Sequence, residues 1–107
     1  MSLENPDQKH LETARGYVEL GMYDSANDEL EDIDPFNRAA PEVLTLRIEI
    51  YRNLKKWQLM AEIARRLHEF EPNEVRWIIS YAFATRRAVS IEVARGILLK
   101  AVFKAQS

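Results

Sequence analysis

The chain has 107 residues, 47% apolar and 30% charged, with a formal net charge of −2 and no cysteine. That composition excludes a disordered chain, and the lack of cysteine excludes disulfides, thiol catalysis and Cys-ligated zinc together. No run approaches the roughly 18 apolar residues that cross a membrane, and the opening MSLENPDQKH has no apolar stretch of the secretory kind, so a cytoplasmic protein without a membrane partner is expected.

Residues 1–6 read as a flexible tail, and six helices follow over about 7–20, 24–33, 41–54, 57–70, 74–87 and 90–105. Asp24 is placed to cap the second helix, which Asp34-Pro35 ends early. Phe36, in the connection that follows, is expected to fold back onto the core. Pro41 suits the first turn of the third helix. Glu71-Pro72-Asn73 stops the fourth and offers Asn73 as a cap for the fifth, and Ser90 is the expected cap of the sixth. Gly16 and Gly96 fall inside helices, each at a cost of about 1 kcal/mol relative to Ala, and close helix packing is the expected compensation.

The apolar positions are broader than one stripe. In the third helix Leu44, Ile48 and Tyr51 are widened by Val43, Leu46, Ile50 and Leu54, and the fourth carries Trp57, Met60, Ile63, Leu67 and Phe70. Such helices need neighbours on more than one side. The last helix has Ile91, Ala94, Leu98 and Ala101 on one face and Leu99, Val102 and Phe103 towards another. With no fourth repeat in this sequence, that second face is expected to be an exposed patch for self-association, with a homodimer or larger assembly as its product.

The helices repeat. A shift of 34 residues lays Tyr17 on Tyr51, Leu20 on Leu54, Tyr23 on Trp57 and Ile91, and Ile33 on Leu67 and Ala101; a double shift lays Ala14 on Ala82, Ala26 on Ala94 and Leu30 on Leu98. Ala82 and Ala94, in small-residue columns, are expected to face each other. These columns, with Leu20-Gly21-Met22-Tyr23 and Ala26-x3-Leu30, resemble the tetratricopeptide repeat, a 34-residue helix-turn-helix. The repeats would run over about 7–40, 41–74 and 75–107, forming one domain over 7–107. The middle unit departs from the pattern, with Ile48 and Met60 at small columns and Ala64 at a large one, and Ala61 is the expected substitute for close approach.

The resemblance implies an all-α, right-handed superhelical stack whose first helices line a concave groove, and a non-enzymatic module that binds a peptide or partner segment there. The groove columns would be Gln8, Leu11, Arg15, Val18 and Glu19; Glu42, Thr45, Leu46, Glu49, Arg52 and Asn53; and Arg76, Ile79, Ser80, Phe83, Arg86 and Arg87. The family's clamp for chaperone C-termini is not expected, because Leu11, Arg15, Leu46 and Ser80 stand at its columns and Arg76 alone fits. Arg52, Arg76, Arg86 and Arg87 around Ile79 and Phe83 instead predict an acidic partner, since the planar guanidinium holds a carboxylate through paired hydrogen bonds. The alternative is that Glu42 and Glu49 neutralise these arginines within the groove.

Catalytic signatures are missing. His10 and His68 stand far apart in the chain and in no HExxH pattern, so no metal site is expected, and His68 reads as an exposed helix end. There is no Gly-rich phosphate loop, and Ser25, Ser80 and Ser90 have no His at a motif spacing, so neither cofactor nor reaction is expected. Residues 1–37 hold ten acids and two bases, net −8, and residues 38–107 seven acids and thirteen bases, net +6. The acids at Asp24, Asp28, Glu29, Glu31, Asp32 and Asp34 read as a solvated face. Despite the pairs Arg65-Arg66 and Arg86-Arg87, this acidic third would repel phosphate, and a nucleic-acid partner is not expected.

Overall fold

A computed structural model describes residues 6–89 and 91–106, excepting the side chains of residues 91, 92, 94, 105 and 106. Among the described residues it is all-helical, with no strand: α1 (Asp7–Glu19), α2 (Tyr23–Glu31), a short 3-10 turn (Pro35–Asn37), α3 (Pro41–Asn53), α4 (Trp57–Phe70), α5 (Val75–Ala88) and α6 (Ile91–Gln106). None of these helices is long and apolar enough to cross a membrane. The chain divides into two compact units, Met1–Leu54 and Lys55–Ser107, a boundary inside the second of the expected repeats. The first unit holds twelve acids and five bases, net −7; the second holds five acids and ten bases, net +5.

In the first unit α1 packs on both α2 and α3, and α2 packs on α3. Leu11, Leu30, Ile33, Val43 and Ile50 are fully buried, each such side chain contributing roughly 1.5–3 kcal/mol of apolar transfer. Ala14 on α1 and Ala26 on α2 are fully buried as well, as expected where small side chains let two helices come close. Gly21, at φ 75°, closes α1. Its N–H donates to Val18 O at 3.0 Å and the Met22 N–H to Tyr17 O at 2.8 Å, which satisfies carbonyls the helix end would otherwise leave bare.

Polar bonds order the α2–α3 connection. The Asp34 carboxylate accepts from the Phe36 N–H at 2.9 Å, and Arg38 Nε donates to Ile33 O at 2.9 Å. Asp7, on the first turn of α1, accepts from the Asp34 N–H at 3.1 Å and from Asn37 Nδ2 at 2.7 Å. Because these bonds fix the turn, Phe36 has no core to fold into: its side chain is 89% exposed, contrary to expectation. Arg47, buried on α3, donates to Asn27 Oδ1 at 2.8 Å and to the Tyr51 hydroxyl at 3.0 Å, and lies 3.5 Å from Glu31.

In the second unit α5 packs on both α4 and α6. Met60, Ala64 and Leu67 of α4 are fully buried, and Trp77, Ala82 and Ala84 of α5 nearly so. Ala64 is thus a fully buried small residue at a column the repeat gives to a large one, and Ala61 is half-buried. Phe70, expected in the apolar stripe, is exposed. The expected contact of Ala82 with Ala94 and the Ser90 cap lie outside the described residues.

Two capping expectations fail. Met22 precedes α2 and Glu74 precedes α5, neither with a side-chain capping bond, so Asp24 sits inside α2 and Asn73 lies before the α5 cap position. Pro41 does open α3. The compensation expected at Gly16 and Gly96 is also missing, since a Cβ built on either meets nothing within 4 Å.

Candidate functional site

The residues expected in the groove fall in both units. In the first, a cavity of about 530 Å³ is lined by Arg15, Val18 and Glu19 of α1 and by Glu42, Thr45, Leu46 and Glu49 of α3. Helical spacing explains the convergence: 15, 18 and 19, and 42, 45, 46 and 49, each recur at three- and four-residue steps along one face. Leu46 is buried in this wall, and Glu42 Oε1 is buried without a hydrogen-bond partner. The Thr45 hydroxyl donates to Pro41 O at 2.7 Å. Leu11, expected in the groove, belongs to the core, and Gln8 turns along its own helix to Glu12. Asn53 closes α3 by donating to Glu49 O at 2.8 Å, and Arg52 beside it is exposed.

In the second unit Trp77, Ser80 and Ala84 bury one side of α5 and leave Arg76, Ile79, Phe83, Arg86 and Arg87 exposed. Trp57, the first residue of α4, meets Phe83 edge-to-face at 5.8 Å. The Arg87 guanidinium lies 3.7 Å from the centre of the Phe83 ring and 5.2 Å from that of Trp57. A guanidinium held against a ring face by its charge can still use its N–H donors elsewhere. Arg76 is differently placed, 4.3 Å above the Trp77 ring and 3.6 Å from Glu74, so its charge is partly answered locally. Arg52 belongs to the first unit and Arg76, Arg86 and Arg87 to the second. Among the described residues, no ion pair joins Glu42 or Glu49 to Arg52, which lies in the same unit.

Sequence reading missed Trp57 as part of this surface, because the repeat assigns its column to packing between helices. It also missed the surroundings of both histidines. His10 Nδ1 lies 3.2 Å from Glu29 Oε1, and the ligating atoms of His10, Glu29 and Asp32 all fall within 4.8 Å of one another. Of the described residues these three are the ones able to share a metal ion, and the pairing of His10 with Glu29 already satisfies two of them. His68 is half-buried, not an exposed helix end; its Nδ1 is buried without a partner beside a cavity of about 250 Å³ that Tyr81 and Lys100 also line.

The Asn37 amide, then the Asp34 N–H, then the charge of His10 hold the Asp7 pKa below the usual 3.8, against an opposing effect of burial. That group ties α1 to a loop and faces neither candidate surface. On α6, Leu99, Val102 and Phe103 are all exposed, Phe103 at 71%.

Comparison of the chain with family models, with curated proteins and with solved structures finds no match in any of the three.

Proposed function

We propose that the chain is a protein-binding module with no reaction of its own, and that it takes a carboxylate-bearing peptide segment on the exposed face of α5. Arg87 carries the reading: its guanidinium lies against the rings of Phe83 and Trp57, and it has no acidic partner among the described residues. A cation stacked on exposed rings gains about 0.5–1 kcal/mol, and a side chain already ordered loses less entropy when it binds. Ile79, 55% exposed, and Phe83, 37% exposed, offer apolar contact beside it, and Arg86 adds a second cation. This differs from the expected four-arginine cluster in resting on Arg86 and Arg87, with Arg76 engaged by Glu74.

The helices are read as a tetratricopeptide-like right-handed superhelical stack in a cytoplasmic adaptor. Two observations support this: α1 touches both α2 and α3, and the left-handed residues Gly21 and Lys55 stand one period apart. The reading is tested by titrating the protein with a short peptide of alternating glutamate and leucine against its glutamine counterpart, following Trp57 and Trp77 fluorescence. Saturable binding of the glutamate peptide alone is the expected result; equal binding of both would remove the carboxylate from the account.

A second reading has its own observation. The exposed Leu99, Val102 and Phe103 of α6 suit self-association, which would make the chain a subunit of an assembly.

A further inference from the structure

We infer that His10, Glu29 and Asp32 form a binding site for a divalent transition-metal ion of the zinc class, which would join the start of α1 to the end of α2. The site lies within the first unit and is independent of the α5 face.

The donors come from two packed helices. Glu29 lies in the last turn of α2 and Asp32 is its C-cap, three residues on and so on the same face. His10, near the start of α1, meets that face. Its Nδ1 is 3.2 Å from Glu29 Oε1, and two ligands held at 2.0–2.1 Å by one tetrahedral ion are about 3.3 Å apart. The ligating atoms of all three residues fall within 4.8 Å of one another. Closing on an ion therefore asks the exposed Asp32 carboxylate to move by no more than about 1.5 Å, which a side-chain rotation supplies. The side chains of His10 and Glu29 are 31% and 23% exposed, drawn back from bulk water yet open to an entering ion.

The charge at this helix end is an independent observation. A helix C-terminus carries about half a negative charge and is stabilised by cations. The end of α2 carries Glu29, Glu31 and Asp32 instead, with no basic residue in its last turn. Arg38 and Arg47 answer Glu31, at 3.3 and 3.5 Å. Among the described residues no lysine or arginine pairs with Glu29 or Asp32. A neutral imidazole does not cancel two carboxylates at a negative helix end, whereas a dication does. Such a break of a local rule is expected where a function needs it.

The donor types select the ion. One imidazole with two carboxylates suits zinc or a neighbouring transition ion over magnesium or calcium, which favour oxygen ligands. Binding exchanges the single His10–Glu29 hydrogen bond for bonds from all three groups; with Nδ1 as ligand, the ring carries its proton on Nε2. Three protein ligands leave a fourth position to water.

The test is calorimetric titration of zinc chloride into the full chain without a polyhistidine tag, with thermal unfolding alongside. One saturable site with Kd on the order of 10 µM is expected. Tm should rise by roughly 5–10 °C at free zinc ten times Kd, and magnesium at the same concentration should give neither effect. His10→Gln, Glu29→Gln and Asp32→Ala should each weaken zinc binding at least about tenfold. Asp32→Ala is the decisive variant, because its position is exposed and the His10–Glu29 contact stays in place while a ligand is lost. His68→Gln and Asp24→Asn, at the other histidine and at another acid of α2, should leave the affinity unchanged. The inference is overturned if zinc shows no saturable binding up to about 1 mM, if magnesium raises Tm equally, or if Asp32→Ala binds zinc no more weakly than His68→Gln and Asp24→Asn do. Arg86 and Arg87 play no part in this experiment, so its failure would leave the reading of the α5 face intact, and the reverse holds too.

Discussion

Gly21 and Lys55 adopt the same left-handed backbone conformation, φ 75° and 57°, at positions 34 residues apart, and among the described residues no other departs to positive φ. Each directly follows the C-cap of a helix, Leu20 after α1 and Leu54 after α3. Glycine adopts this conformation freely, whereas a side chain there costs about 1–2 kcal/mol. Gly21→Ala should therefore destabilise the protein by about 1 kcal/mol and Lys55→Gly should stabilise it by up to about 1 kcal/mol. Urea unfolding of both variants checks the pair; a destabilised Lys55→Gly would show that Lys55 contributes more through its side chain than its backbone loses.

Gly16 offers a second gain. It lies inside α1, and a Cβ there meets nothing within 4 Å, so alanine adds helix propensity without a clash. Gly16→Ala should raise stability by about 0.5–1 kcal/mol. A loss of stability in thermal unfolding would mean that the added methyl group is not accommodated on α1 as the open space there implies.

Asp7 sets a pH dependence. Its folded pKa lies below the unfolded value near 3.8 because Asn37 and the Asp34 N–H hold the charged form. A depressed carboxyl contributes stability that is fully present above the unfolded pKa and is lost as pH falls through the folded one. Asp7→Asn should thus be less stable than the parent at neutral pH, and the gap should close on acidification below 3.8. Unfolding curves for both proteins across that window measure it; a gap independent of pH would locate the effect in packing.

The α6 patch predicts a concentration-dependent mass. Leu99→Glu combined with Phe103→Glu, two exposed positions, should leave the fold intact and give a monomer by sedimentation wherever the parent associates. An oligomer that survives both changes would place the contact elsewhere.

Helix positions were legible in the sequence because period, Gly21 and the proline breaks agree, and the buried set Ala14, Ala26, Leu30, Leu67 and Ala82 follows from the same columns, whereas Leu11 was assigned to the groove and is core. Features built from polar bonds across the chain were not. Asp7 reaches Asn37, and Arg47 reaches Asn27 and Tyr51, and none of these residues carries a sequence mark of its pairing. Phe36 was misread for a related reason, since hydrophobicity argued for burial while backbone hydrogen bonds decided where the turn points. The candidate surfaces were partly legible: face periodicity placed Arg15 with Glu42 and Glu49, and Phe83 with Arg87, but the Trp57 contact needs the packing of α4 on α5.

The most direct test of the α5 face is calorimetric titration of the glutamate–leucine peptide into the parent, the Arg87→Glu variant and the Arg86→Glu/Arg87→Glu double variant, each at two salt concentrations. Binding to the parent should weaken with salt, and the double variant should lose at least about tenfold in affinity, since reversal replaces attraction by repulsion at the contact and in the approach. Affinity indifferent to salt and to both substitutions would contradict a carboxylate site at Arg86 and Arg87.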